Sequence, residues 1–318
     1  MFRKVLMSLL LFTVNLFTSA QIPLPPAPDK TSIALQKTLA DMVAAHHGKV
    51  ALYATNLKTG QSVALDADQL VQTASTIKLA LFLETFHQIK DGKVKLEDRI
   101  PFKPEDKVQG SGLLQFMRTP AEWSFEDVLT FMIIQSDNTG TNLVIDHIGL
   151  KPTNERLATM GLKNTYFYKK VFKPAEGEQP ADQKKFGLGK TTPREMATLM
   201  QRIVECDLND AALCKKMVDI LKEQQDRNKI AHYLEVDVDT SEAPTAIASK
   251  SGSLDAVRAD VGAVFTSAGT IIISAYTYEN ADKRWIPENE GEQLIARMSK
   301  EIVKAWAPKK PAEAPKKD

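Results

Sequence analysis

The chain predicts an α/β domain in which strands near both ends of the sequence share one antiparallel sheet and a mostly helical lobe is inserted between them. Three observations lead there. β-type runs occupy residues 50–57 and 62–65, then 245–249, 256–266 and 270–278. The stretch between them, 76–223, carries apolar residues at helical rather than alternating spacing. Each group of strands contains a hairpin, which makes neighbours antiparallel and leaves a cleft between sheet and helical lobe.

Residues 1–20 come first. Arg3 and Lys4 precede an apolar run over 5–17, and Thr18-Ser19-Ala20 supplies small residues, the pattern of a secretory signal peptide cut after Ala20. The run is shorter than the roughly 20 residues a membrane span needs, and Thr13 and Asn15 interrupt it; a retained anchor is the alternative. No cysteine follows the run, which argues against lipidation. The expected product is a soluble monomer, periplasmic or secreted, with no membrane contact after cleavage. Residues 21–30 hold Pro23, Pro25, Pro26 and Pro28, which force an extended tether. Of 41 basic and 40 acidic residues, loss of Arg3 and Lys4 leaves 39 basic, a balance that argues against a nucleic-acid partner.

The catalytic domain is placed at 31–307. Helix is expected at 31–45, where Ile33, Leu35, Leu39, Met42 and Val43 make one stripe. Two strands joined at Lys58-Thr59-Gly60 follow. Helices are then expected at 76–90, 125–135, 141–148, 154–160, 192–204 and 211–223, and a last one at 288–306 closes the domain. The end, 308–318, is Pro, Ala, Lys and Glu with nothing to bury, a disordered tail. Cys206 and Cys214 flank a turn holding Asp207, Asn209 and Asp210; a local disulfide and two free thiols are both open. His46 and His47 are adjacent, so on a helix they point apart and cannot share a metal. They read as a surface helix end.

Three short motifs carry chemistry. Ser75-Thr76-Ile77-Lys78 places an amine one turn from a hydroxyl, and a desolvated lysine can take the proton of a serine nucleophile. Ser136-Asp137-Asn138 ends an apolar helix and also reads as the N-cap of the next. Lys250-Ser251-Gly252 ends a strand, and Gly252 removes bulk where a substrate could lie along the edge. Each is common alone, and Lys58-Thr59-Gly60 repeats the third pattern in a hairpin read as structural.

Order and spacing separate the set from chance. SxxK, SDN 61 residues later and KSG 114 residues after that resemble the class A β-lactamases of the β-lactamase and penicillin-binding-protein superfamily. Ala74 before Ser75, Thr191-Thr192-Pro193 opening a helix, and Asp260 in the strand after KSG agree. The resemblance spans residues 31–307. It implies an α/β/α sandwich with a five-stranded antiparallel sheet plus an all-helical lobe. It further implies that Ser75 attacks a lactam carbonyl with Lys78 as base or relay, and that Ser136 protonates the departing nitrogen. Asn138 would bind the substrate's amide, and Lys250 with Ser251 its carboxylate. The N–H groups of Ser75 and Ser253 would form the oxyanion hole. Arg258 reads as an extra carboxylate contact or as a strand ion pair. The expected substrate is a small β-lactam or a peptidoglycan peptide, and no metal or organic cofactor is implied.

One family element is missing. Class A enzymes carry a glutamate in ExxLN on the loop before the TTP helix, where it activates the water that releases the acyl-enzyme. Residues 169–180 contain no ExxLN. Counting back from Pro193 reaches Glu176, with Glu178 nearby, whereas counting forward from Ser136 reaches Phe172. Glu176 is therefore the candidate base of a remodelled loop. Slow lactam hydrolysis, DD-peptidase or esterase activity, and a penicillin-binding sensor that stays acylated all remain open.

Overall fold

A computed structural model describes residues 30–234 and 246–307. The signal-peptide reading, all of the tether but Lys30, and the tail lie outside them, as does Thr245 of the third expected strand. Helix α1 (Lys30–Ala44) leads into β1 (Lys49–Asn56) and β2 (Ser62–Leu65). Strands β3 (Val71–Gln72), β4 (Arg99–Phe102), β5 (Ala121–Ser124), β6 (Tyr166–Phe167) and β7 (Gly189–Thr191) are short. Helices α2 (Lys78–Lys90), α3 (Phe125–Ile134), α4 (Asn138–Ile148), α5 (Leu150–Thr159), α6 (Gln183–Phe186), α7 (Pro193–Val204) and α8 (Ala211–Lys222) form the central region. Strands β8 (Ala246–Leu254), β9 (Val257–Thr266) and β10 (Gly269–Tyr278) and helix α9 (Glu290–Trp306) complete the chain.

The main sheet has the order β2-β1-β10-β9-β8, and its adjacent strands are antiparallel. Early and late segments of the chain thus meet in one sheet, because β1 pairs with β10 from Lys49 opposite Tyr278 to Asn56 opposite Ile271. Alternation along β10 creates the layers. Ile271, Ile273 and Ala275 face the core shared with Leu35 and Leu39 of α1 and with Leu294, Ile295 and Met298 of α9. Ile272 and Tyr276 point the other way, into a core shared with Leu79, Leu83, Val128 and Met196. Two apolar faces require two covering layers of helix, which is the α/β/α sandwich.

Element ends moved for local reasons. Helix α4 begins at Asn138, before the expected 141, because the Asp137 side chain accepts from Gly140 N at 2.8 Å and caps it. Helix α5 begins at Leu150 because Pro152 falls in its first turn, where a missing N–H costs nothing. Strand β8 runs through Lys250-Ser251-Gly252 instead of ending before it. The two small sheets, β3-β7-β6 and β4-β5, were not expected; strands of two to four residues carry too little alternation to read. Cys206 and Cys214 are bridged, with Cα atoms 5.4 Å apart. His46 departs from the surface reading: its imidazole is buried against Asn280 Oδ1 at 2.9 Å and Glu290.

Candidate active site

The nucleophile candidate sits on a 3-10 turn, Ala74–Ile77, that feeds directly into α2. Residues three apart eclipse on such a turn, so Ser75 and Lys78 share a face. Ala74 takes φ +46° to start the turn, and Ser136 takes φ +51° between α3 and α4. Ser75 and Ser136 line one cavity of about 390 Å³, together with Ser111, Gln224, Asp226, Ser251, Gly252, Ser253 and Trp285 among others.

Lys78 is fully buried, and its Nζ lies 2.7 Å from Ser136 O, 3.0 Å from Asn138 Oδ1 and 3.2 Å from Ser136 Oγ. Burial pushes this amine well below the usual lysine range, and the nearby Lys250 charge adds to the effect against the opposing pull of Asp137. A neutral amine has two N–H groups and one lone pair. With both carbonyl oxygens accepting N–H groups, the uncharged form would keep its lone pair for a hydroxyl.

Strand β8 is the edge of the sheet and lies against the Ser75 turn. Gly252 makes that contact possible: a Cβ there would stand 2.8 Å from Ser75 N, 3.0 Å from Thr76 N and 3.0 Å from Ala74 Cβ. A backbone approach this close is what pairing the N–H groups of Ser75 and Ser253 around one oxygen demands.

Ser75, Ser136, Ser251, Gly252 and Ser253 line that cavity, and Lys78 bonds to Ser136. Asn138 is buried; its Oδ1 accepts from Lys78 and its Nδ2 donates to Gln109 O at 3.1 Å, so its amide braces the amine and the opposite wall. Lys250 is fully buried and donates to Ser251 O at 2.7 Å. Burial pushes it down to about 7, opposed by Asp226 and Asp260. Asp260 behind it is pushed up to about 7, again by burial, against Lys229.

Arg258 departs from the extra-contact reading. Its guanidinium is fully buried, donates to Val257 O at 2.9 Å and Arg284 O at 2.7 Å, and pairs with Glu292 at 3.1 Å. It is a structural ion pair beneath the Trp285 ring, 4.8 Å from the centroid, and does not line the cavity. Glu176 likewise departs from the base reading. It is exposed and lines a separate cavity of about 600 Å³ beside Tyr166, Tyr168 and Lys170. Glu178 is exposed too.

Within the same loop, Phe172 approaches the Asn138 amide across Gly110. Asn142 holds the residue before it from both sides, donating to Val171 O at 3.0 Å and accepting from Val171 N at 2.8 Å. Neither Val171 nor Phe172 offers a carboxylate.

Sequence reading missed Asp226, Lys229, Glu292 and Asn142. Asp226-Arg227-Asn228-Lys229 reads as a solvated charge run and Glu292 as an acid in a first helical turn, so only burial exposes them. Lys229 is fully buried between Asp226 at 2.6 Å and Glu292 at 3.4 Å.

Residues 34–306 match the family model described as Beta-lactamase enzyme family, and the chain belongs to that family. The chain is similar to the β-lactamase from Sphaerobacter thermophilus DSM 20745, with 28% identity, a TM-score of 0.76, and coverage of 86% of this chain and 99% of that one. It is similar to PBP-A at 25% identity and TM-score 0.72, covering 88% and 98%; a PBP-A variant has been solved as an acyl-enzyme complex with penicillin G. An ancestral class A β-lactamase shares the fold at 20% identity and TM-score 0.72, covering 85% and 99%. Among curated proteins, none matches the chain.

Proposed function

We propose that the protein is a serine hydrolase that opens β-lactam amide bonds through an acyl-enzyme on Ser75 and releases the acyl group slowly. The observation that carries this reading is the cavity in which Ser75, Ser136 and the Gly252–Ser253 edge converge, with Lys78, its pKa pushed well below the usual lysine range, bonded to Ser136. In this reading Lys78 takes the Ser75 proton as the ester forms and passes it through Ser136 to the departing nitrogen. Release needs a water and a base on the other face, and Glu176, the carboxylate the loop offered, lines a separate cavity.

A second reading is supported by the same loop and by the likeness to PBP-A: acyl transfer on peptidoglycan peptides, with β-lactams acting as slow-release acylators. The disulfide Cys206–Cys214 supports an exported, periplasmic or secreted protein, since such bridges persist in oxidising compartments.

Intact-mass and stopped-flow measurements with a chromogenic cephalosporin test the proposal. Wild type should give a burst near one equivalent, an adduct on Ser75 and a slow later phase. Ser75→Ala should give neither adduct nor burst, and Glu176→Gln should match wild type. Fast steady turnover that collapses in Glu176→Gln would assign release to Glu176 and overturn the slow-release reading.

A further inference from the structure

Ser75 stands on one 3-10 turn, whose poor hydrogen-bond geometry gives it little stability of its own. Ala74 opens the turn at φ +46°, a conformation that a residue with a Cβ holds only where its surroundings impose it. On one side the β8 edge at Gly252 touches the turn. A chain of buried hydroxyls meets it from another. Thr76, the residue after Ser75, donates its N–H to Thr73 O at 3.2 Å and its hydroxyl to the same oxygen at 2.7 Å. A threonine hydroxyl has a single hydrogen, so with that hydrogen given to a carbonyl its oxygen accepts from Tyr276 Oη, 2.9 Å away. Tyr276 is fully buried on β10, the middle strand of the main sheet, where its backbone stands opposite Ala51 of β1 and Ala259 of β9. Burial pushes the phenol up, which keeps it a neutral donor. A ring packed in the core between two paired strands has little room to move, so its hydroxyl carries the position of the sheet to the turn.

We infer that Tyr276 is a positioning residue for acylation: its hydroxyl, acting through Thr76, holds the Ser75 turn against the Gly252 edge and keeps the Ser75 N–H and Oγ aligned on one carbonyl. The inference rests on Ser75 being the acylated residue. Tyr276 is not among the residues that line the Ser75 cavity, so its effect falls on the rate of the bond-forming step and not on the binding of substrate.

Stopped-flow acylation by a fluorescent penicillin, followed over a range of concentrations, separates the limiting rate constant from the half-saturating concentration. Tyr276→Phe keeps the ring and removes only the hydroxyl. It should lower the limiting rate about 10- to 100-fold and leave the half-saturating concentration within about threefold of wild type. Thr76→Val should act in the same way, and Thr76→Ser, which keeps the hydroxyl, should stay within about threefold of wild type in both quantities. Tyr276→Phe combined with Thr76→Val should be no slower than Thr76→Val alone, because both remove the same link. A merely structural role for Tyr276 would lower Tm and leave the limiting rate of Tyr276→Phe within about threefold of wild type, which overturns the assignment. A loss confined to the half-saturating concentration, or losses that multiply in the double variant, would overturn it too. Each of these results leaves the Ser75 reading standing. A wild type that forms no penicillin adduct on Ser75 overturns both.

Discussion

Gly252→Ala is the substitution whose outcome the geometry determines most closely. The added Cβ would meet Ser75 N at 2.8 Å, Thr76 N at 3.0 Å and Ala74 Cβ at 3.0 Å. Ordinary contacts between such atoms are about 3.5 Å or more, so the β8 edge and the Ser75 turn must separate by roughly half an ångström. None of these atoms ends a flexible side chain, and Ala74 at φ +46° leaves the turn little freedom to give. Separation pulls apart the N–H groups of Ser75 and Ser253. Losing one oxyanion donor costs about 10²- to 10³-fold in rate, roughly 3 kcal/mol. Overpacking should cost a further 1–3 kcal/mol or so of stability, a Tm fall of about 2–10 °C in a domain of this size. Stopped-flow acylation by a fluorescent penicillin and calorimetry read the two effects separately. Acylation within threefold of wild type would refute the placement of the oxyanion hole at this edge, whatever happens to Tm.

Lys78→Ala should slow acylation by about a hundredfold or more if the amine is the base. Because burial lowers the Lys78 pKa, wild-type acylation should persist to lower pH than an ordinary lysine base would allow and decline as pH falls through the depressed value; the variant should lose this limb, and an unchanged pH profile would move the base elsewhere. Asp260, raised to about 7, binds a proton in the folded chain where the unfolded chain does not, so its contribution to stability is present at acid pH and lost as pH rises from about 4 through 7. Asp260→Asn should therefore gain Tm relative to wild type over that interval, and a difference that stays constant with pH would contradict the assignment. Cys206→Ser paired with Cys214→Ser opens a short loop and should cost about 2–3 kcal/mol. Urea unfolding checks this, and the acylation rate should not change.

Legibility followed the length scale of the signal. Long runs with clear periodicity, such as β10 and α7, could be placed to within a residue or two. The short strands of the two small sheets had no pattern to offer. At the site, Ser75, Lys78 and Ser136 were legible because motif spacing within and between helices is a property of sequence. Arg258 was ambiguous because its partners, Glu292 and the carbonyl of Arg284, lie 34 and 26 residues away and meet it only through folding. Glu176 was chosen by counting along a loop, and counting fails where Gly177, Pro174 and Pro180 let the chain leave any regular path.

The amino-acid sequence by itself determined that early and late segments of the chain share an antiparallel sheet, that a helical lobe stands between them, and that a serine and a lysine lie one turn apart with a second serine on a capped helix end. Those follow from periodicity and local geometry, which act over a few residues. Tertiary structure alone decided the rest: that Lys78 is buried enough for its pKa to fall well below the usual lysine range, that Gly252 lets the sheet edge touch the Ser75 backbone, that Glu176 lines a separate cavity, and that Asp226 hydrogen-bonds Ser251. Each of these depends on burial or on distance between segments far apart in the chain, and both are set by packing.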